Sequence, residues 1–186
     1  MRIVGGQFRG RPLAAPRDDR TRPTSDRVRE AVFNILAHGI PDLELAGAKV
    51  LDLFAGTGAL GIEALSRGAA YCLFVEEEPE ARALIRRNIE ALGLTGVTKI
   101  FRRDATDLGP AGRNSGFTLV FLDPPYGQDL AERALASAAA GGWLAAGSIA
   151  VVEERKGAAV ALPAGFDALD RRGWGDTEVT FARWSG

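Results

Sequence analysis

The chain of 186 residues has little of the residue types on which several protein classes depend. A single cysteine forms no internal disulfide, and one histidine and one cysteine give none of the spacings that metal sites require. No apolar run approaches the roughly 20 residues of a membrane-spanning helix. The first residues also lack the apolar segment of a secretory signal. We therefore expect a cytoplasmic protein without a metal ion or a membrane segment.

Lysine is scarce as well, with three lysines against twenty arginines. The net charge of −1 carries no signal for the whole chain, but its distribution is uneven. Residues 1–30 hold a net +4, and the remainder carries −5. The planar fork of arginine suits phosphate contact, so this clustering favours an RNA-facing arm over a merely solvated arginine bias. The predicted contacts with RNA are Arg9, Arg11, Arg20 and Arg22.

Apolar residues make up 46% of the chain and charged residues 25%, which is enough to bury a core. Residues 1–13 predict a short hairpin that bends at Gly5–Gly6. A helix follows, capped by Thr24 or Ser25 and ended by Gly39, because its apolar residues recur at helical spacing. We therefore divide the chain into an arm, residues 1–40, and a catalytic domain, residues 41–186.

Beyond residue 41, short apolar runs alternate with helical patterns, which is typical of an α/β domain with a parallel sheet. The helices are expected at about 58–67, 79–92 and 128–140. Two further segments around Gly173 and Gly175 predict an antiparallel hairpin at the end of the sheet. The predicted strands are Val50–Phe54, Leu73–Val75, Lys99–Phe101, Leu119–Leu122 and Ile149–Val152, with the hairpin at Phe166–Arg172 and Glu178–Trp184.

The first strand runs into a glycine-rich loop that satisfies G-x-G-x-x-G, a weak signal for a dinucleotide when it stands alone. Asp52, four residues before the first glycine, changes the balance. A carboxylate there repels a pyrophosphate, whereas the ammonium and sulfonium of S-adenosylmethionine suit it. A loop that serves only tight strand–helix packing is the alternative. The predicted cofactor contacts in this segment are Asp52, Phe54, Gly56 and Gly58.

Two further acidic positions follow the next strands. Glu76 ends the second strand, where a carboxylate can accept hydrogen bonds from both ribose hydroxyls. Glu77 and Glu78 are acidic too, and part of this charge complements the start of the next helix. After the third strand, Asp104, with Ala105 beside it, either accepts from the adenine amino group or caps a short helix. Both interpretations of Asp104 stay open.

The fourth strand leads into Asp123, Pro124, Pro125 and Tyr126. The two prolines stop the strand and hold the preceding carbonyl groups in a fixed direction. A carboxylate and an aimed carbonyl can together accept both N–H bonds of an exocyclic amine, which makes its nitrogen a better nucleophile. Tyr126 offers a face on which an unpaired base stacks. This tetrad predicts methyl transfer to a base amine without a metal, and a plain β-turn is the alternative.

At these residues the chain resembles the RsmD family, the bacterial small-subunit ribosomal RNA guanine-N2 methyltransferases. The resemblance covers almost the whole chain, since it includes residues 2–11, 22–36, 52–69 and the tetrad. It implies a Rossmann-like class I fold with a seven-stranded, mostly parallel sheet, an antiparallel last strand and helices on both faces. It also implies S-adenosylmethionine as cofactor and 16S rRNA, or the assembling small subunit, as the partner of a monomer. No functional residue is carried over from the tail after Gly157.

Three other functions remain open at this point. Related tetrads serve other amines, such as adenine N6 or a protein glutamine amide, although the arginine-rich arm favours nucleic acid. A non-catalytic RNA-binding module that keeps the cofactor pocket is a second alternative, and the complete Asp123–Tyr126 tetrad argues against it. A nicotinamide-dependent oxidoreductase is the third, which the choice of bound cofactor would decide.

Overall fold

Seven strands form one sheet in the computed structural model, which describes residues 1–17 and 24–186. The order across the sheet is β3-β2-β1-β4-β5-β7-β6. The first five strands run parallel, and β7 pairs antiparallel with both β5 and β6. The expected class of fold is confirmed. The strands are β1 Lys49–Leu53, β2 Tyr71–Val75, β3 Thr98–Phe101, β4 Phe117–Leu122, β5 Leu144–Arg155, β6 Phe166–Trp174 and β7 Thr177–Trp184.

In the part of the chain that the structure describes, one helix precedes β1, and three helices and a 3-10 turn lie between later strands. The helices are α1 Asp26–His38, α2 Ala59–Ser66, α3 Pro79–Ala91 and α4 Leu130–Ala140, with the 3-10 turn at Thr95–Val97. The Ser25 side chain accepts a hydrogen bond from the Val28 amide at 3.2 Å, so Ser25 is the cap of α1. Within the described residues, no helix combines the length and the apolar character that crossing a membrane would need.

Helices cover both faces of the sheet because successive strand residues point to opposite sides. On one face, Val50, Phe74 and Phe121 pack with apolar side chains of α1, α2 and α3. On the other face, Leu51 and Val120 pack with α4, among other buried residues. The strands are therefore apolar on both sides, which agrees with their near-continuous apolar runs.

The N-terminal segment is more irregular than the predicted hairpin. Its two ends meet in one isolated bridge, Arg2 to Pro12, and the stretch between them is bends and turns rather than strands. Ile3 and Leu13 are buried in the same core as α1. The segment thus packs on the outside of the helices through a few apolar anchors, and the division at residue 40 stays a proposal about function.

Candidate active site

The carboxyl ends of the central strands bring the predicted site residues to one edge of the sheet. β1 lies between β2 and β4, and the strand order reverses beside it. This is the place at which open α/β sheets bind their ligands. Asp52 lies in β1, Glu76 follows β2 and Asp123 follows β4. The structure thus brings these three predicted site residues to one edge, as their positions at the ends of parallel strands require.

The glycine-rich loop between β1 and α2 adopts a strained and tightly packed conformation. Phe54 has φ 57° and Gly58 has φ 79°, both in the left-handed region. A left-handed phenylalanine is costly, and such strain is concentrated at functional sites. A side chain at Gly61 would approach the Cys72 sulfur and the Phe74 ring to 2.5 Å each. Gly61 is therefore needed for packing, whereas Gly56 faces open space at the mouth of the loop.

Asp52 lies beneath this loop and is almost fully buried, at 1% exposure. Its Oδ2 accepts a hydrogen bond from the Gly61 amide at 3.0 Å. Burial raises the pKa of the Asp52 carboxyl to about 8, since that hydrogen bond offsets the loss of water only in part. The structure thus adds a structural contact for Asp52, and its predicted contact with a cationic ligand stays a prediction.

Glu76 closes the loop from the β2 side. Its Oε2 accepts from the Gly56 amide at 2.8 Å and its Oε1 from the Glu78 amide at 2.9 Å. The Gly56 N–H, which a pyrophosphate would need, is therefore directed at a carboxylate. Glu77 and Glu78 are exposed, whereas Glu76 is partly buried. This arrangement favours Glu76 over Glu78 as the residue that faces a ribose, and it disfavours a dinucleotide.

Asp104 caps a turn rather than a helix. Its Oδ1 accepts from the Thr106 amide at 2.8 Å and from the Thr106 hydroxyl at 2.7 Å. These hydrogen bonds lower the pKa of the Asp104 carboxyl. The short helix considered as an alternative does not form, because residues 105–106 are a turn. Ala105 buries its methyl group in the core on the α4 face of the sheet, so only its backbone is available for the predicted ligand contact.

The tetrad begins where β4 ends. Pro124 is buried, whereas Pro125 and Tyr126 are exposed, and Tyr126 keeps 41% of its surface open. An exposed aromatic ring is what stacking on a base requires. Burial raises the pKa of the Asp123 carboxyl well above its usual range, and the neighbouring Glu153 adds to the increase.

Two residues of this edge escaped the sequence analysis. Glu153, 6% exposed, lies in β5 beside Asp123. The Thr24 hydroxyl contacts Glu153 Oε2 at 2.6 Å and Asp123 Oδ2 at 3.3 Å. A glutamate directly after the apolar run Ile149–Val152 was the available signal, because it occupies the strand end that neighbours the tetrad. Thr24 was considered only as a helix cap.

The predicted RNA contacts are less directly placed. Arg9 and Arg11 are exposed, but their segment lies against the ends of α2 and α3 that are distant from the tetrad, since Gly5 accepts from Ser66 and the Arg11 guanidinium donates to the Ala91 carbonyl. The length of one helix separates each of these ends from the site, about 12 Å for the 8 residues of α2 and about 20 Å for the 13 residues of α3. Arg20 and Arg22 lie outside the described residues. The RNA contacts therefore stay predictions.

The side chains at this edge fit an adenosine that carries a cationic, phosphate-free tail. Carboxyl groups follow three neighbouring strands, and the glycine loop leaves open space at Gly56. The loop amide of Gly56 is already bound by Glu76 at 2.8 Å. Among residues 1–17 and 24–186, no group of three or more His, Cys, Asp or Glu side chains is arranged to hold a metal ion.

Comparisons with known proteins show which family and fold the chain shares. The family model described as Conserved hypothetical protein 95 matches residues 1–183. The chain is 43% identical over 128 residues to the Bacillus subtilis protein YlbH, which covers 68% of this chain and 67% of YlbH. It is 39% identical over 153 residues to Ribosomal RNA small subunit methyltransferase D of Escherichia coli, which covers 82% of this chain and 74% of that protein.

A solved structure shows the same fold over the full length. The Escherichia coli protein yhhF superposes with a TM-score of 0.84 at 32% identity, and the match covers 100% of this chain and 98% of that one. The likeness includes the N-terminal segment as well as the sheet. The seven-stranded architecture is therefore shared with relatives and is not particular to this sequence.

Proposed function

The chain belongs to the RsmD family of S-adenosylmethionine-dependent methyltransferases, and we propose that it methylates the exocyclic N2 of a specific guanine in 16S rRNA. The observation that carries this proposal is the position of the Asp123 tetrad beside the glycine loop, at the edge where β1 and β4 separate. A donor pocket and an amine-binding tetrad then meet at one point.

On the donor side, Glu76 is the group that would hold the ribose, and Asp52 would face the charged tail. When bound, S-adenosylmethionine supplies a methyl group on a sulfonium and leaves as a neutral thioether. The protein therefore needs to bind, orient and exclude water, without a metal or a covalent link to its own residues. Asp52 and Glu76 are fixed by backbone amides at 3.0 and 2.8 Å, so they are oriented before any ligand arrives.

On the acceptor side, Asp123 would accept one N–H of the base amine, and a carbonyl of the proline-stiffened turn would accept the other. These bonds return electron density to a nitrogen whose lone pair is otherwise delocalised into the ring. Tyr126, exposed at the same turn, would stack on the base, which is worth roughly 1–3 kcal/mol. In the proposal these contacts align the nitrogen for an in-line attack.

The choice of RNA rests on the relatives and on charge. The Escherichia coli relative is named for the small ribosomal subunit, and residues 1–30 of this chain carry a net +4. We propose the 16S rRNA, free or in an assembling particle, as the substrate of a cytoplasmic monomer. The arm, residues 1–40, would then face the RNA, and residues 41–186 would carry the chemistry.

One assay tests the proposal. Purified enzyme is incubated with methyl-labelled S-adenosylmethionine and with either 16S rRNA or small subunits from cells that lack the enzyme, and the RNA is digested to nucleosides. We expect label in N2-methylguanosine, at one position, in the wild type and not in Asp123→Ala. Label in N6-methyladenosine would show that the acceptor is adenine N6 and not guanine N2. Binding of RNA without any transfer would favour a non-catalytic module.

A further inference from the structure

The proposed reaction leaves the buried acid Glu153 without a role. Glu153 is 6% exposed, lies in β5 and faces the reaction edge, yet the tetrad alone accounts for the binding of the amine. Burying a carboxyl group is costly unless it is hydrogen-bonded or paired. Its partner among the described residues is the Thr24 hydroxyl, which Glu153 shares with Asp123.

The backbone fixes the two acids beside each other. β4 and β5 are parallel and in register up to Leu122 and Val152, so the next positions, Asp123 and Glu153, are neighbours across the sheet. Thr24 contacts both acids from the N-terminal region of the chain, where it directly precedes Ser25, the cap of α1. The buried Arg29 side chain donates to the Thr24 carbonyl at 3.3 Å, which holds the threonine in place.

A hydroxyl group has one proton, and this one contacts two carboxyl groups. At 2.6 Å from Glu153 and 3.3 Å from Asp123, it can donate to only one of them at a time. The other contact is a hydrogen bond only if that carboxyl group carries a proton and donates it to Thr24. Two like charges so close are unfavourable, so the pair holds one proton, on either acid.

We propose that Glu153 is a positioning residue that holds the proton of this pair through Thr24, and thereby keeps Asp123 ionised towards the amine. The inference rests on the proposed function. With the proton on Glu153, Glu153 donates to the Thr24 oxygen and the Thr24 hydroxyl donates to Asp123. The second oxygen of Asp123 is then free to accept from the base.

The proton balance follows from this arrangement. Methylation leaves a positive charge on the amine nitrogen, and the N–H electron pair returns to that nitrogen as its proton moves to Asp123. The pair then holds two protons, and the partly exposed Asp123 releases one to water. The charged and titratable groups around the pair include Asp52 of β1, Glu154 of β5, and Tyr126. Burial raises the pKa of both Asp123 and Glu153, as a shared proton requires.

Three variants test the link through the acid limb of the kcat profile against pH. Glu153→Gln copies the protonated glutamate, since its amide donates to Thr24, so the acid limb should stay close to that of the wild type. Thr24→Val removes the donor to Asp123, so the limb should move to higher pH and kcat should fall about ten- to hundredfold at neutral pH. Thr24→Ser keeps the hydroxyl group, so it should retain the acid limb and the kcat of the wild type.

Glu154→Gln is the matched control, because Glu154 is the adjacent buried acid of β5 and accepts from the Arg155 amide rather than from Thr24. The charge of Glu154 also raises the pKa of Asp123 and Glu153, so this variant should move the acid limb slightly to lower pH, which gives the effect of a lost charge without any change at Thr24. Thermal melting checks that every variant is folded. A limb that moves clearly to lower pH in Glu153→Gln, an unchanged limb in Thr24→Val, or equal rates for Thr24→Val and Thr24→Ser, would overturn the inference.

A second measurement separates this inference from the proposed function. Carbon NMR of the side-chain carboxyl groups follows Asp123 and Glu153 in the free enzyme, without RNA. A shared proton that lies on Glu153 in the wild type and in Thr24→Ser, but on Asp123 in Thr24→Val, supports the link even if no methyl transfer is found. Independent titration of the two acids in the wild type refutes the link even if the enzyme methylates guanine.

Discussion

The two sides of the reaction edge hold their carboxyl groups in different ways. On the donor side, Asp52 and Glu76 accept from backbone amides of the glycine loop and of the start of α2. On the acceptor side, Asp123 and Glu153 share the hydroxyl of Thr24, a residue far away in sequence. The carboxyl groups of the donor side are therefore held by the continuous segment from β1 to the start of α3, whereas the acceptor side requires the N-terminal segment to be docked.

This contrast teaches why the N-terminal segment belongs to the catalytic unit. Thr24 is held by Arg29, which is fully buried and contacts Glu63 of α2 at 3.5 Å. Buried charged side chains thus connect α2 to Thr24 and, through Thr24, to Asp123 and Glu153. Such an arrangement costs stability relative to an apolar core, so its presence at this edge is explained by chemistry better than by folding.

The largest expected effect breaks the acceptor side alone. Asp123→Ala should lower kcat by about a hundred- to a thousandfold, because it removes the acceptor that aligns the amine. Isothermal titration with S-adenosylmethionine should show nearly unchanged affinity, since the donor contacts are on other strands. Asp123→Asn, which keeps an acceptor oxygen, is the matched control and should retain more activity. An equal loss of cofactor binding and of kcat would show that Asp123 also serves the donor side, so that the two sides are not independent.

The next effect concerns stability on the donor side. The Asp52 pKa is raised from 3.8 to about 8 in the fold, so the folded chain keeps this proton to higher pH than the unfolded chain does. Stability from this group is therefore present below about pH 4 and is lost as the pH rises towards 8, by up to about 1.4 kcal/mol per pH unit.

Asp52→Asn tests this pH dependence, because its side-chain oxygen can still accept from Gly61. Urea unfolding without cofactor should give similar stability for both proteins near pH 4 and a more stable variant at pH 8. If the difference between the two proteins does not change with pH, Asp52 does not titrate in this window. Burial of Asp52 would then not lower the stability of the fold at neutral pH, in contrast to the burial of Asp123 and Glu153.

Much of this comparison could be predicted from the sequence. The glycine loop, Glu76 and the Asp123 tetrad follow strand ends, and parallel strands place their carboxyl ends at one edge, so local patterns sufficed. Asp104 could not be decided, since a cap and a ligand contact need the same residue type. The contact of Thr24 with Asp123 and Glu153 joins positions 99 and 129 residues apart, which no local period encodes.

The predicted N-terminal hairpin forms only in part, for a related reason. Its two arms pair antiparallel, since the Ile3 amide donates to the Arg11 carbonyl and the Leu13 amide to the Met1 carbonyl, both at 3.0 Å. Between the arms, the Phe8 amide donates to the Ser66 hydroxyl at 3.0 Å, and the Val4 amide donates to Glu63 at 3.0 Å. These contacts with α2 limit the regular strand pairing that the local pattern favoured.

A smaller effect distinguishes the carboxyl groups within the donor side. Glu76→Ala should weaken S-adenosylmethionine binding by about 1.5–3 kcal/mol for each lost hydrogen bond to the charged group. Glu78→Ala is the control, since Glu78 is exposed and the structure shows its backbone amide, not its side chain, in contact with Glu76. Calorimetric titration compares the two variants. Unchanged affinity in Glu76→Ala together with lost affinity in Glu78→Ala would assign the ribose to Glu78.

The smallest expected effect lies outside both sides, at the exposed arginines of the N-terminal segment. If Arg9 and Arg11 contact phosphates, RNA affinity should fall with salt at a log–log slope of about 0.7 for each contact with a single strand. Arg9→Gln with Arg11→Gln should lower this slope by about 1.4 while free S-adenosylmethionine binds as before. The structure makes this a demanding test, because Arg11 already donates to the Ala91 carbonyl at 3.1 Å.

Arg113→Gln is the control, an exposed arginine of the loop before β4, at the amino edge of the sheet. A salt slope in the double variant equal to that of wild type and of Arg113→Gln would remove this segment from the RNA surface, and Thr24 would then be the contribution of the N-terminal region to the reaction.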